Sequence, residues 1–246
     1  MHSSMFGRDS FLIIFIATKI QTYLNVSAYL WVSNNFLPVA SPTFASMKNI
    51  LHLISSIQGS ASYSVKLGHA VIEKIQEKYP GSSVDELNLV DIDIPHLNPA
   101  VLRTFFIPGD QLTEEEKESI RLSDGLVKQL LAADIIVIGA PLYNFTIHTS
   151  LKAWIDHITR AGITFGYDEN GPTGMITGKK VYVAMSSGGI FSTGPGKAND
   201  FVAPYLQAFL GFLGMTDQTV FRAEGLKVPG VKDQAMQKAI DSIRID

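Results

Sequence analysis

From Lys48 onward the chain alternates between two hydrophobic rhythms. Short, almost unbroken apolar runs recur at Lys48–Ile54, Asp134–Gly139, Lys180–Met185 and Thr216–Phe221. Runs of this length, apolar at successive positions, predict strands covered on both faces, as in a parallel sheet. Ser83–Leu89 instead alternates Val84, Glu86 and Asn88 against Asp85, Leu87 and Leu89, and predicts a further strand. Between these runs the apolar positions are spaced for helices. Leu67, Val71, Ile75 and Tyr79 stand four residues apart and place a helix over Ser62–Tyr79, stopped by Pro80-Gly81. Thr113 before Glu114-Glu115-Glu116 reads as an N-cap with an acidic first turn, opening a helix that runs to about Leu131. Leu151, Trp154, Ile155 and Ile158 mark one face of the next helix, with Thr149 or Ser150 as its cap. Phe201, Tyr205 and Phe209 place another over Asn199–Leu213, and Val231–Ile243 forms the last. Residues 91–112, with Pro95, Pro99 and Pro108, read as a long connection. Repeated strand–helix alternation predicts an α/β fold, a mostly parallel, doubly wound sheet with helices on both faces.

Residues 1–46 break this rhythm, carrying only Arg8, Asp9 and Lys19 as fixed charges. The apolar run Phe11–Ala17 is too short to span a bilayer. It leaves two readings open: a targeting or membrane-contacting segment, or an extension outside the fold that precedes a natural start at Met47. The organisation expected is an extension over 1–46 and one domain over 47–246.

Composition narrows the chemistry. Across 246 residues, 46% hydrophobic and 17% charged content reads as globular. A net charge of −3 gives no global attraction to nucleic acid or to an anionic membrane. The chain has no cysteine, which excludes disulfides, thiolate metal sites and cysteine nucleophiles. The six histidines form no HExxH motif and no i, i+4 pair, so no zinc site is expected. His52 reads as a core residue and His157 as a surface or interface residue. The pairs Gly178-Lys179 and Gly196-Lys197 lack the glycine a P-loop requires, and no G-x-S-x-G elbow is present. Without a protein nucleophile, the chemistry points to a bound cofactor.

Three loops that follow predicted strands share the edge of an α/β sheet where ligands bind. Ser55–Ser64 holds five serines, one glycine and no basic residue. Backbone N–H groups at a helix start, with hydroxyls beside them, suit a phosphate; a plain turn with a serine N-cap is the alternative. Pro141-Leu-Tyr-Asn-Phe145 offers two aromatic rings for a flat ligand and an amide for its heteroatoms, or else an aromatic turn packed on its own helix. Ser186-Ser-Gly-Gly-Ile-Phe-Ser-Thr-Gly-Pro-Gly196 carries Gly188-Gly189, which allows close backbone approach to a ligand; a mobile loop is the alternative.

Together with Leu151-Lys-Ala-Trp-Ile-Asp156, Ile163-Thr-Phe-Gly-Tyr167 and Gly171-Pro-Thr-Gly174, these motifs carry a resemblance. From Met47 on, about four-fifths of its length, the chain resembles the FMN-dependent NADH azoreductases, or NADH:quinone oxidoreductases, of flavodoxin-like fold. The resemblance implies a five-stranded parallel sheet of order 2-1-3-4-5 with FMN at the switch point. Ser55, Ser62, Tyr63 and Ser64 would surround the phosphate. Pro141, Leu142, Tyr143, Asn144 and Phe145 would hold the ribityl chain and one side of the ring. Ser186, Ser187, Gly188 and Gly189 would contact its other edge. Phe165 and Tyr167 would wall the substrate pocket, with ordinary hairpin packing as the alternative. It implies NADH as donor, quinones or azo compounds as acceptors, ping-pong turnover on the flavin N5 with no catalytic side chain, a cytoplasmic homodimer with shared active sites, and neither membrane nor nucleic-acid partners. A flavodoxin-type electron carrier and a flavin-free scaffold remain as other readings. Two positions depart from the family pattern: His148, where relatives often carry proline, and Ser187, where they often carry arginine.

Overall fold

The computed structural model describes residues 29–32, 35–38 and 46–246. The chain divides between Thr43 and Phe44. In the first part Tyr29–Val32 pairs antiparallel with Asn35–Pro38. The apolar run Phe11–Ala17 lies outside the described residues.

The second part is built on five parallel strands: β1 (Asn49–Ile54), β2 (Ser83–Asn88), β3 (Ile135–Pro141), β4 (Lys180–Ser186) and β5 (Asp217–Ala223). Their order is 2-1-3-4-5, as expected. The helices are α1 (Tyr63–Lys78), α2 (Pro99–Thr104), α3 (Glu114–Ala132), α4 (Thr149–Ile158), α5 (Ala203–Phe212) and α6 (Lys232–Asp241). Because successive strand side chains point to opposite faces, each apolar strand feeds two cores. Ile50, Val137, Tyr182 and Ala184 pack under α1 and α6 with Leu67, Val71 and Ile75. Leu51, Leu53, Ile136, Ile138 and Val183 pack under α3, α4 and α5 with Leu130, Trp154 and Leu206. A small antiparallel hairpin, Phe165–Asp168 with Gly171–Gly174, follows α4.

Several local expectations are corrected. The 91–112 connection contains α2, capped by the Asn98 side chain, which accepts from Val101 N. The cap of α4 is His148, not Thr149 or Ser150: its Nδ1 accepts from Ser150 N at 3.2 Å. The expected helix over Asn199–Leu213 begins only at Ala203, because Gly194–Asn199 is a tight 3-10 turn and the Asp200 side chain accepts from Val202 N and Ala203 N. Phe201 therefore lies outside α5 and is exposed. His157 is buried rather than at the surface, its Nε2 2.9 Å from the Pro95 carbonyl.

Candidate functional site

The strand register places Ile54 beside Gly139, Pro141 beside Ser186, and Ser186 beside Ala223. The loops leaving β1, β3, β4 and β5 therefore start side by side. They enclose a cavity of about 430 Å³ lined by Gln58, Ser62, Tyr63, Pro141, Leu142, Tyr143, Ser186, Ser187, Gly188, Leu226 and Lys227. That volume falls within the roughly 300–1,000 Å³ typical of small-molecule sites. Two larger hollows, of about 520 and 650 Å³, lie elsewhere: one between the starts of β1 and β2 and the end of α3, the other around Phe105–Gly109 and Arg160–Ile163. Neither combines a helix start with the ends of the central strands, so the carboxyl-edge cavity is the stronger candidate.

The β1 loop delivers the start of α1. Ser62 is the residue before the helix, in extended conformation, but no side chain caps the first-turn N–H groups. Its hydroxyl is instead paired with that of Ser64 at 3.0 Å, both buried. A 16-residue helix with an uncapped first turn suits an anion. Ser55 is fully buried and donates to the Gly139 carbonyl at 2.7 Å, fixing the loop to β3.

The β3 loop is a tight turn. Tyr143 and Thr146 exchange backbone hydrogen bonds at 2.9 and 3.0 Å. The two residues between them, Asn144 and Phe145, have φ of +48° and +71°. Two successive positive φ values mark a turn of the I′ kind. Asn tolerates that region; a bulky residue there costs of order 1–3 kcal/mol. The Phe145 ring is half-exposed and meets Phe191 edge to face, centroids 6.3 Å apart. Tyr143 is braced by Ser56 Oγ, 3.3 Å from its hydroxyl, and by the His148 ring, edge on at 5.5 Å. Burial lowers the His148 pKa below its ordinary value, which keeps Nδ1 free to accept as the cap of α4.

The β4 and β5 loops are stitched together. Ser187 N donates to the Ala223 carbonyl, and Leu226 N and Lys227 N donate to the carbonyls of Ser187 and Gly188 at 3.2 and 2.9 Å. A Cβ on Gly188 would stand 3.1 Å from Lys227 Cδ, so the glycine makes room for the lysine stem. Glu224 accepts from Phe191 N and Ser192 N at 3.0 and 2.9 Å, and Arg222 reaches Asp200 at 2.7 Å. This network pins the glycine-rich loop from below.

The residues expected at the site divide accordingly. Ser62, Tyr63, Pro141, Leu142, Tyr143, Ser186, Ser187 and Gly188 line the cavity; Ser55, Ser64, Asn144, Phe145 and Gly189 do not. Ser55 and Ser64 lie buried beneath it, while Asn144 and Phe145 form the exposed tip of the β3 loop. Phe165 is buried against Phe212 and lines a separate hollow with Phe105 and Tyr205; Tyr167 is 73% exposed. Gln58, Leu226 and Lys227 were not foreseen. Gln58 sat inside a loop already singled out, whereas Lys227 arrives from a strand end 40 residues beyond Ser187, which no local motif reveals.

Residues 48–245 match the family model described as flavodoxin-like fold. The chain belongs to that family. Within the flavodoxin-like proteins it is similar to the FMN-dependent NADH:quinone oxidoreductase of Herminiimonas arsenicoxydans, with 46% identity over 180 residues, 73% of this chain and 88% of the relative. Among solved structures it resembles the azoreductase from Bacillus anthracis str. Sterne, with a TM-score of 0.74 and 31% identity over 79% of this chain and 96% of that one. It also resembles an FMN-dependent NADH-azoreductase from Bacillus anthracis str. Ames Ancestor, solved in complex with FMN, with a TM-score of 0.69 and 28% identity over 79% of this chain and 94% of that one.

Proposed function

We propose that this chain is an FMN-dependent oxidoreductase that uses NADH to reduce quinones and azo compounds. The observation that carries this reading is the carboxyl-edge cavity, where an uncapped helix start, an aromatic turn and a glycine-rich backbone converge. The names of the relatives support it. The residues present fit FMN. The first-turn N–H groups of α1 and the Ser62 hydroxyl, itself held by the buried Ser64 hydroxyl, would take the phosphate. Pro141–Phe145 would lie along the ribityl chain and one side of the ring, and the backbone of Ser187–Gly189 along its other edge. Lys227, the one cation among the described residues that line the cavity, would supply positive charge close to Ser187, which stands where relatives often carry arginine.

When bound, FMN would supply two-electron redox chemistry between NADH and the acceptor, in a ping-pong sequence. The chain's own residues bind and orient the reactants, and none is needed as a dedicated acid or base. Phe165 and Tyr167 do not line the cavity of their own chain. Tyr167, which is exposed, would wall a substrate pocket if a second copy brought it over the neighbouring site, as in a homodimer, while Phe165, buried against Phe212, would hold the hairpin beneath it. A cytoplasmic location fits this chemistry. Among the described residues no helix is long and apolar enough to cross a membrane.

The test separates the two half-reactions. The full-length chain loaded with FMN is mixed anaerobically with NADH, then with menadione. Bleaching of the flavin followed by rapid recovery is expected. A bound flavin that NADH leaves oxidised would reject the reductase reading in favour of an electron carrier.

A further inference from the structure

His52 lies in the middle of β1, on the face covered by α1, directly opposite Glu86 on β2. Its ring is fully buried, and Nδ1 stands 3.0 Å from Glu86 Oε2. His69, on α1, brings its Nε2 to 3.0 Å from the same oxygen. The two imidazoles meet edge to face, with centroids 5.1 Å apart. Gly68 makes this possible, since a Cβ there would stand only 2.6 Å from His52 Nε2. That Nε2 is buried with no hydrogen-bond partner among the described residues. A ring held under a helix with one nitrogen unsatisfied needs a reason, because an unpaired buried polar atom is unfavourable. The geometry offers one: the orientation that strands Nε2 is the one that turns Nδ1 towards Glu86 and His69.

Two imidazole nitrogens and a carboxylate oxygen, all within 4.8 Å of one another, form a compact donor set. A tetrahedral ion with bonds of about 2.0–2.1 Å holds its ligands roughly 3.3 Å apart. Two of the separations here are 3.0 Å and the third lies within 4.8 Å, so closing on an ion requires the half-exposed His69 and Glu86 side chains to shift. His69 and Glu86 are half-exposed, which leaves the outer side open to water as a fourth ligand. Nitrogen and carboxylate donors without thiolate suit zinc and its neighbours in the first transition row. None of the three residues lines the carboxyl-edge cavity. We propose that His52, His69 and Glu86 form a binding site for one divalent cation of the zinc type, which ties β1, β2 and α1 together at a place separate from the cofactor cavity. The site escapes any local motif because its ligands come from three elements, the last standing 34 positions after the first.

The full-length chain is titrated with Zn²⁺ by calorimetry, and its thermal midpoint is read with and without the ion. Wild type is expected to bind one zinc per chain at this site and to gain thermal stability with it. His69→Ala and Glu86→Gln change half-exposed side chains and are expected to fold as wild type does. Each is expected to weaken binding by more than the roughly 10–100-fold that loss of an outer-shell partner causes, and to abolish the zinc-dependent gain in midpoint. Absence of stoichiometric zinc binding in wild type, or wild-type affinity in both variants, would overturn the proposal.

Discussion

The sheet and the rim above its carboxyl edge follow opposite rules. β3 is buried at every position from Ile135 to Pro141, and its neighbours β1 and β4 are buried almost throughout. Immediately past Pro141 the same chain places two consecutive residues at positive φ and holds an aromatic ring half in solvent. Past β1, it leaves a helix start without a side-chain cap. The sheet maximises burial and hydrogen bonding; the rim keeps donors, rings and strain available. Features that reduce stability and gather in one place mark a surface shaped for a ligand rather than for folding.

If the two regions are distinct, substitutions should separate stability from cofactor retention. The largest effect is expected in the sheet. Ile138→Ala empties a fully buried position and should cost about 2–5 kcal/mol of unfolding free energy by denaturant titration. In the rim the effect should fall on the ligand. Asn144→Gly removes the amide while keeping the positive φ, and is expected to weaken FMN binding by about tenfold or more, equivalent to about 1.4 kcal/mol. Unchanged flavin affinity would remove Asn144 from the cradle. Phe145→Gly sharpens the contrast, because it relieves the residue at φ +71°. Unfolding free energy should rise by about 1 kcal/mol while FMN retention drops; a fall in both would show that the turn is not strained.

The smallest effect concerns His148, which both caps α4 and braces Tyr143. His148→Ala should cost about 0.5 kcal/mol, at the lower end of the range for lost caps. The cap has a pH signature. Burial lowers the folded-state pKa beneath the ordinary 6.5, so near that pH the folded chain binds fewer protons than the unfolded one. The cap's contribution is full above 6.5 and is lost as pH falls through the lowered value. The slope of stability against pH in that window should be shallower in His148→Ala, and an identical slope would reject the assigned role.

The same contrast explains what was legible in the sequence. Runs such as Asp134–Gly139 announce buried strands because a parallel strand covered on both faces is apolar at successive positions over a short, turn-bounded stretch. The N-terminus of α3 was readable because Thr113 and Glu116 form a reciprocal capping box within four residues. Where a side chain answers to a distant partner, local pattern failed. His157 looked like a surface residue because its partner, the Pro95 carbonyl, is 62 residues away. His148 was passed over as a cap because imidazole is an unusual one. The start of α5 was displaced by the Asp200 side chain, which holds the first N–H groups and is itself held by Arg222. The site followed the same division: its three loops stood out by composition, whereas Lys227 enters only through the pairing of the β4 and β5 loops.

The most direct measurement is a titration of the full-length, flavin-free chain with FMN, followed by flavin fluorescence, alongside Asn144→Gly. Saturation at one FMN per chain is expected, with the variant folded but clearly weaker. A well-folded wild-type chain that takes up no FMN would contradict the assignment of the carboxyl-edge rim as a flavin site.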